Sequence, residues 1–285
     1  MRHYAIRKES RGVAWYGRER VGCPESIRRQ MRREGAIANA NGAYSERTCE
    51  VDCFLTVLSS AQGPIFTMLD LGTGWGEWSM ALVEVVKRRI VPVRFAGYRS
   101  TAVECDPYFC PIAARNTFPG ATVRLGAISD RAGMVRINTG RISRRCCGSG
   151  LSFKGYFSGS RLLAKLLGIG HRLIKETALV PAFTIDSMMP QMGQVDLVVM
   201  DIQGAELLAL KGAAQAIESG RVDWWLIGTH GRKLHEKVKP LLQGRYELVV
   251  DAPSGQITDI TGDYRVEIAT GQDGIQLWRR IGERE

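Results

Sequence analysis

The stretch Ile65-Phe66-Thr67-Met68-Leu69-Asp70-Leu71-Gly72-Thr73-Gly74-Trp75-Gly76-Glu77 decides the fold. A turn signal, Gly63-Pro64, stands immediately before it. The apolar run from Ile65 to Leu71 is short enough for a strand buried on both faces, as in a parallel sheet. Three glycines then permit a tight turn in which backbone approaches a neighbour or a ligand closely. From Glu77 to Val86 the spacing becomes helical, with Trp78, Ala81, Leu82 and Val85 as the apolar face. Strand, glycine turn and helix together form the opening of a βαβ unit.

The same alternation continues downstream. Thr101–Glu104 is predicted as a second strand, and its helix starts near Pro107 and stops before Phe118-Pro119-Gly120. Ala121–Ile128 suits a third strand and Met134–Asn138 a short additional one. Val195–Asp201 is a strong buried strand, followed by a helix from Ala205 to Ile217 that Ser219-Gly220 ends. Val222–Gly228 is the next strand, with a basic helix at Lys233–Leu242. Tyr246–Val250 and Gly274–Trp278 close the chain as an antiparallel pair at one edge. Repeated β-then-α units imply an α/β fold, a mainly parallel sheet with helices on both faces. Residues 63–285 are read as this domain and residues 1–62 as a basic arm with a helical segment around Cys53–Leu58. Residues 139–180 interrupt the alternation and are too long for an ordinary connection, so they are read as an inserted lid.

Composition narrows the function classes. The chain has 285 residues, of which 45% are apolar, enough to bury a full core. No run approaches the ~20 apolar residues of a membrane span. The N-terminus lacks a signal-peptide core, so a cytoplasmic location and no membrane partner are expected. The net charge of +10 is localised. Residues 1–33 and 139–180 each carry about +7, leaving the remainder near −4. Such segments either recruit an anionic partner or act as solvated surface. The seven cysteines include Cys49 and Cys53 at helical spacing, but two ligands do not close a zinc site. Buried free thiols are the simpler reading, and no role is assigned to the adjacent Cys146 and Cys147.

Chemistry concentrates at strand ends, where ligands of open α/β sheets bind. The turn Gly72-Thr73-Gly74-Trp75-Gly76 has G-x-G-x-G spacing, not the G-x-G-x-x-G of dinucleotide sites. Glu77 at the helix start repels a pyrophosphate but tolerates a sulfonium ligand, and Asp70 suits a cationic amino group. These features favour S-adenosylmethionine over NAD. Glu104 ends the second strand, where a carboxylate can accept both ribose hydroxyls. Asp106 is the fallback, or else caps the helix at Pro107. Gly126-Ala127-Ile128-Ser129-Asp130 offers small residues for an adenine slot, or simply a turn. Asp201 ends a later strand and faces the same crevice. Glu206, in the first turn of the next helix, is expected to favour the helix dipole. His230 stands at the end of the following strand, where an imidazole can serve as base for a hydroxyl nucleophile. His235 is expected to be solvated.

These motifs resemble the FkbM-type S-adenosylmethionine-dependent methyltransferases. The resemblance runs from about Phe66 to Ala214. It is carried by Leu69–Gly76, Val103-Glu104-Cys105-Asp106-Pro107, Ala127–Asp130, Phe183-Thr184-Ile185-Asp186-Ser187, Val195–Leu197 and Met200–Glu206. It implies a Rossmann-like seven-stranded sheet and O-methylation of a sugar or related hydroxyl. The family usually has Glu where this chain has Gln203, and often a carboxylate near His230.

On this reading Asp70, Gly72, Thr73, Gly74, Glu104, Cys105, Ser129 and Asp201 bind the donor, with S-adenosylhomocysteine as product. His230 and Asp201 serve catalysis. Arg144, Arg145, Lys154 and Arg161 of the insertion contact an anionic small acceptor such as a glycoside, another natural product or a nucleotide-like molecule. No metal site is expected, because Asp130, Asp201 and Asp251 lack ligand spacing, although a divalent ion and a homo-oligomer both stay open. RNA methylation is the first alternative, supported by the basic segments. A non-catalytic binding protein on the same fold is the second.

Overall fold

The computed structural model describes residues 46–118, 120–139, 177–253, 256–258, 265–267 and 273–282. Arg144, Arg145, Cys146, Cys147, Lys154 and Arg161 lie outside the described residues, as does the arm up to residue 45. Helices and strands alternate as α1 Glu46–Ser60, β1 Ile65–Leu71, α2 Glu77–Arg88, β2 Gly97–Glu104, α3 Cys110–Asn116, β3 Thr122–Leu125, β4 Ala127–Ile128 and β5 Gly133–Asn138. The chain is described again from β6 Thr177–Phe183, followed by α4 Ile185–Met188, β7 Val195–Met200, α5 Glu206–Lys211, α6 Ala214–Glu218, β8 Val222–His230 and α7 Arg232–Leu242. It closes with β9 Tyr246–Ala252, β10 Gln256–Thr258, β11 Arg265–Glu267 and β12 Asp273–Arg280.

The main sheet has seven strands in the order β3-β2-β1-β7-β8-β12-β9. It is a Rossmann-like α/β sheet, parallel except for β12, which runs antiparallel to both β8 and β9. The expected antiparallel closing pair therefore forms, but β12 inserts between β8 and β9 and leaves β9 at the edge.

Both faces of the sheet are covered, because successive strand residues point to opposite sides. Met68, Leu197, Val199, Leu226 and Leu277 pack with Phe54 and Leu58 of α1 and with Trp78 and Leu82 of α2. Leu69, Leu71, Val198, Met200, Trp225 and Trp278 pack on the other face with Ala209, Leu210, Val238 and Leu242. The predicted apolar stripe of α2 is buried, with Trp78, Ala81, Leu82 and Val85 at most 6% exposed, but burial extends beyond it to Ser79, Val83 and Met80, the last packed with Trp75, Phe109 and Ile112.

Several boundaries differ from expectation. The predicted third strand is split at Gly126: β3 joins the main sheet, while β4 pairs with β6 in a three-stranded sheet ordered β4-β6-β5. A Cβ on Gly126 would lie 2.4 Å from the Phe183 ring, so the chain turns where only glycine fits against β6. Residues Thr177–Val180, assigned from sequence to the insertion, belong to β6. The helix expected over Ala205–Ile217 is two short helices. They part near Gly212, whose Cβ would meet the Ser129 carbonyl oxygen at 2.2 Å.

Cys49 and Cys53 are fully buried within α1 and are not joined in a disulfide. The Cys49 side chain beside Cys53, and burial after it, push the Cys53 thiol well above its ordinary range.

Candidate active site

The carboxyl ends of β2, β1, β7 and β8, neighbours in that order in the sheet, bring together Glu104, Asp70, Asp201 and His230. Register explains the convergence. Asp70 lies beside Ala102 and Val199, and Met200 lies beside Ile227, so β1, β2 and β7 end within a residue of one another while β8 runs on three residues past Ile227 to His230.

The glycine turn hangs from the neighbouring strand. The backbone N–H groups of Gly72 and Thr73 both donate to the Val103 carbonyl, at 2.9 and 3.2 Å. Gly72, Gly74 and Gly76 have φ of 80°, 58° and 94°, a region that side chains with a Cβ disfavour. Gly72 is also pressed against β7: a Cβ there would sit 1.9 Å from the Asp201 carbonyl oxygen. Around Gly74 no described residue lies within 4 Å of such an atom, so among the described residues the turn opens on that side.

Two buried carboxyls lie under and beside the turn. Asp70 is fully buried, and its Oδ2 accepts from the Thr73 hydroxyl at 2.6 Å. Its Oδ1 is buried with no hydrogen-bond partner among the described residues. Burial raises the Asp70 carboxyl to about 7, against the lowering effect of the Thr73 bond, with the Asp201 charge adding to the rise. Glu104 Oε2 accepts from the Gly74 N–H at 2.7 Å and Oε1 from the Asp106 N–H at 2.7 Å. Its carboxyl is also raised to about 7 by burial, which outweighs these two backbone bonds. Asp106 Oδ1 accepts from the Tyr108 N–H at 2.8 Å. The Asp106 carbonyl also accepts from the Phe109 and Cys110 N–H groups, both at 3.0 Å, so Asp106 caps the turn that leads through Pro107 into α3, as the alternative reading expected.

Cys105 is half-buried beside Glu104, and burial pushes its thiol up. Ser129 is 6% exposed, donates its backbone N–H to the Phe183 carbonyl at 2.9 Å, and places its hydroxyl 3.2 Å from Asp130. The partly exposed Phe183, quoted from sequence only as motif, packs against Gly126 at this end of the crevice.

A cluster of one imidazole and two carboxyl groups lies on the other side of the turn. His230 Nε2 is 3.4 Å from Asp201 Oδ1, and His230 Nδ1 is 2.7 Å from Glu206 Oε1. The Asp201 side chain is 41% exposed, His230 11% and Glu206 0%. Glu206 does occupy the first turn of α5, as expected. It is in addition wholly buried against the imidazole, a contact the helix-dipole reading does not include. The signal was present in sequence, since a buried imidazole needs a partner for its second nitrogen. Only the fold shows which carboxylate that is. Gln203, with φ of 53°, donates to Asp201 Oδ1 at 3.1 Å.

His235, expected to be solvated, lies in the opposite environment. It is fully buried, with Nδ1 2.7 Å from the Thr229 hydroxyl and Nε2 2.7 Å from Asp251 Oδ1. It faces inward because Val238 and Leu242, at i+3 and i+7 of α7, share its buried face. Lys239 Nζ holds the other Asp251 oxygen at 2.7 Å. Burial raises the Asp251 carboxyl, but the bonds from His235 and Lys239 outweigh it and leave it below its ordinary value.

The donor set suits a cationic nucleoside ligand. It offers an orphaned buried carboxylate oxygen at Asp70, a carboxylate at a strand end, and a glycine turn open at Gly74. Three carboxylates within one crevice repel a pyrophosphate and attract a sulfonium. Among the described residues, no group of three or more His, Cys, Asp or Glu is arranged to hold a metal ion. No described helix is long and apolar enough to cross a membrane.

Solved structures similar to this chain include methyltransferases. A candidate RNA methyltransferase from Pyrococcus horikoshii is 11% identical, with 83% of this chain and 85% of that one covered and a TM-score of 0.41. Precorrin-6y C5,15-methyltransferase from Geobacter metallireducens is 12% identical, with 80% and 86% covered and a TM-score of 0.37. M. capricolum TrmK, solved with S-adenosylhomocysteine, is 8% identical, with 79% and 67% covered and a TM-score of 0.35. No curated protein matches. A family model, the methyltransferase FkbM domain, matches residues 95–244, which hold Glu104, Ser129, Asp201, Glu206 and His230 but not the glycine turn. That match spans more than half of the sequence, and the chain belongs to the FkbM methyltransferase family, whose methyl donor is S-adenosylmethionine.

Proposed function

We propose that the protein methylates a hydroxyl group of a small, anionic acceptor such as a glycoside, with His230 as the base. The observation that carries this reading is the contact between the donor turn and the acid–base group. Gly72 faces the Asp201 carbonyl at a distance that excludes any side chain, and the Asp201 carboxylate stands 3.4 Å from His230. A base is thereby set beside the turn where the donor would lie.

Asp70, Gly72, Thr73, Gly74, Glu104, Cys105 and Ser129 would hold S-adenosylmethionine. Each carboxylate oxygen has two lone pairs, so Glu104 can keep its backbone bonds and still accept from ribose hydroxyls. The donor supplies an electrophilic methyl on a sulfonium that is already a good leaving group. The protein must therefore align the acceptor oxygen and remove one proton. Asp201, the more exposed of the pair, would orient the acceptor hydroxyl, and His230 Nε2 would take its proton. The insertion's Arg144, Arg145, Lys154 and Arg161 would meet the acceptor's negative charge.

Calorimetric titration with S-adenosylmethionine, S-adenosylhomocysteine and NAD tests the donor. Micromolar binding of the first two and none of NAD is expected; failure of both, in folded protein, sinks the reading. Release of S-adenosylhomocysteine across a panel of glycosides and nucleotides then tests the acceptor. A salt-sensitive RNA gel shift with RNA-dependent turnover would favour RNA methylation instead.

A further inference from the structure

Glu206 is a fully buried carboxylate that none of the assignments above uses. Its Oε1 accepts the Gly204 backbone N–H at 3.1 Å and lies 2.7 Å from His230 Nδ1. Its Oε2 is buried with no hydrogen-bond partner among the described residues. An oxygen already accepting a backbone N–H meets the imidazole as an acceptor, so the proton of that ring bond belongs to Nδ1. A neutral imidazole carries one ring proton. Nε2 is then left with its lone pair, on the side of the ring that faces the exposed Asp201 carboxylate.

We propose that Glu206 is a positioning residue that holds His230 in the Nδ1–H tautomer, keeping Nε2 as the proton acceptor. This deepens the reading of His230 as the base and rests on it. In the transfer, the acceptor oxygen bonds to the methyl carbon as the carbon–sulfur bond breaks, its electron pair staying on sulfur. The hydroxyl proton passes to Nε2. The positive charge lost from sulfur is matched by the imidazolium that forms, and Glu206 faces that charge at 2.7 Å from its other nitrogen. Asp201 alone does not achieve this. It contacts Nε2, and a carboxylate there draws the ring proton to the nitrogen that must stay open. The two carboxylates bias the ring in opposite directions, and the buried, shorter contact prevails.

The test uses 15N-labelled full chain and long-range 1H–15N correlation spectra at about pH 8, above the ordinary histidine range. The His230 signals are identified by their loss in His230→Asn. Wild type is expected to show Nδ1–H in excess of the other tautomer by roughly tenfold or more, from a hydrogen bond to a charged acceptor. Glu206→Ala is expected to move the proton to Nε2, facing Asp201. Glu206→Gln keeps the volume and a neutral acceptor, and is expected to retain Nδ1–H with a bias of only a few-fold. An Nε2–H or doubly protonated ring in wild type overturns the proposal. So does an unchanged tautomer ratio in Glu206→Ala or, if that variant does not fold, in Glu206→Gln. Calorimetry with S-adenosylmethionine on the same samples separates the two failures. Loss of donor binding in wild type strikes the methyltransferase reading, whereas intact donor binding with an unmoved tautomer strikes only the role of Glu206.

Discussion

Replacing Gly72 with alanine should cost far more stability than replacing Gly74. Both have positive φ, 80° and 58°, so each variant carries about 1–2 kcal/mol of backbone strain. They differ in space. At Gly74 the added methyl meets no described residue within 4 Å. At Gly72 it would lie 1.9 Å from the Asp201 carbonyl oxygen, where real contacts do not fall below 3.0 Å. Backbone must move by about an ångström, stretching the Asp201 N–H bond to the Leu71 carbonyl, now 2.9 Å. Overpacking of this kind adds about 1–3 kcal/mol. Gly72→Ala should therefore lose about 3 kcal/mol or more, and Gly74→Ala about 1 kcal/mol. In thermal denaturation this is roughly 6–12 °C against roughly 2–4 °C. Donor affinity should rank differently. The methyl of Gly74→Ala points into the open side of the turn, so S-adenosylmethionine should bind about tenfold or more weakly despite near-normal stability. Equal melting shifts for the two variants would refute the close contact between turn and β7, and with it the coupling of donor turn to Asp201.

The two buried carboxyls make a signed prediction about pH. Asp70 and Glu104 are raised to about 7 from 3.8 and 4.5, so between about pH 4 and 7 the folded chain holds protons that the unfolded chain has released. Their contribution to stability is therefore full below pH 4, falls as pH rises to about 7, and is level above that. Denaturant melts across that range should show a shallower decline in the Asp70→Asn, Glu104→Gln double variant than in wild type; identical slopes would contradict the assignment. Since a cationic donor favours ionised carboxyls, its affinity should rise with pH through about 7. Glu104→Gln alone should weaken donor binding by roughly 10- to 100-fold, the size of a charged hydrogen bond, with calorimetry as the measurement. His235→Ala strands Thr229 and Asp251 beside a buried void, and chemical denaturation should register a loss of about 3 kcal/mol. A loss under 1 kcal/mol would mean that His235 is not the internal strut it resembles.

Much of the fold was legible because it is local. The Ile65–Glu77 stretch carries its own period change, from a continuous apolar run to a helical stripe, and forms β1, the turn and α2 as expected. Strand ends were readable for the same reason: Asp70, Glu104 and Asp201 each follow an apolar run, and parallel strands deliver such residues to one edge. What escaped was decided by partners distant in the chain. β6 is a short, mixed run, Thr177–Phe183, and it becomes a strand by pairing with β5 and β4. The placement of β12 between β8 and β9 depends on burial of Ile275, Leu277 and Trp278 across two faces, which no local pattern encodes.

The candidate site divides along the same line. By itself the sequence determined which chemical groups end the strands, that the glycine turn suits a sulfonium better than a pyrophosphate, and that His230 follows a strand. All of these are properties of residue type and spacing. Only the tertiary structure decided that Glu206 turns inward to His230, that His235 is buried on Asp251, and that Gly72 touches Asp201. A helix's first-turn carboxylate and a helix's histidine can each face solvent or core, and periodicity over four or six residues does not separate the two. Packing of α5 and α7 against β7 and β8 does, because a buried polar atom must find its partner across the chain.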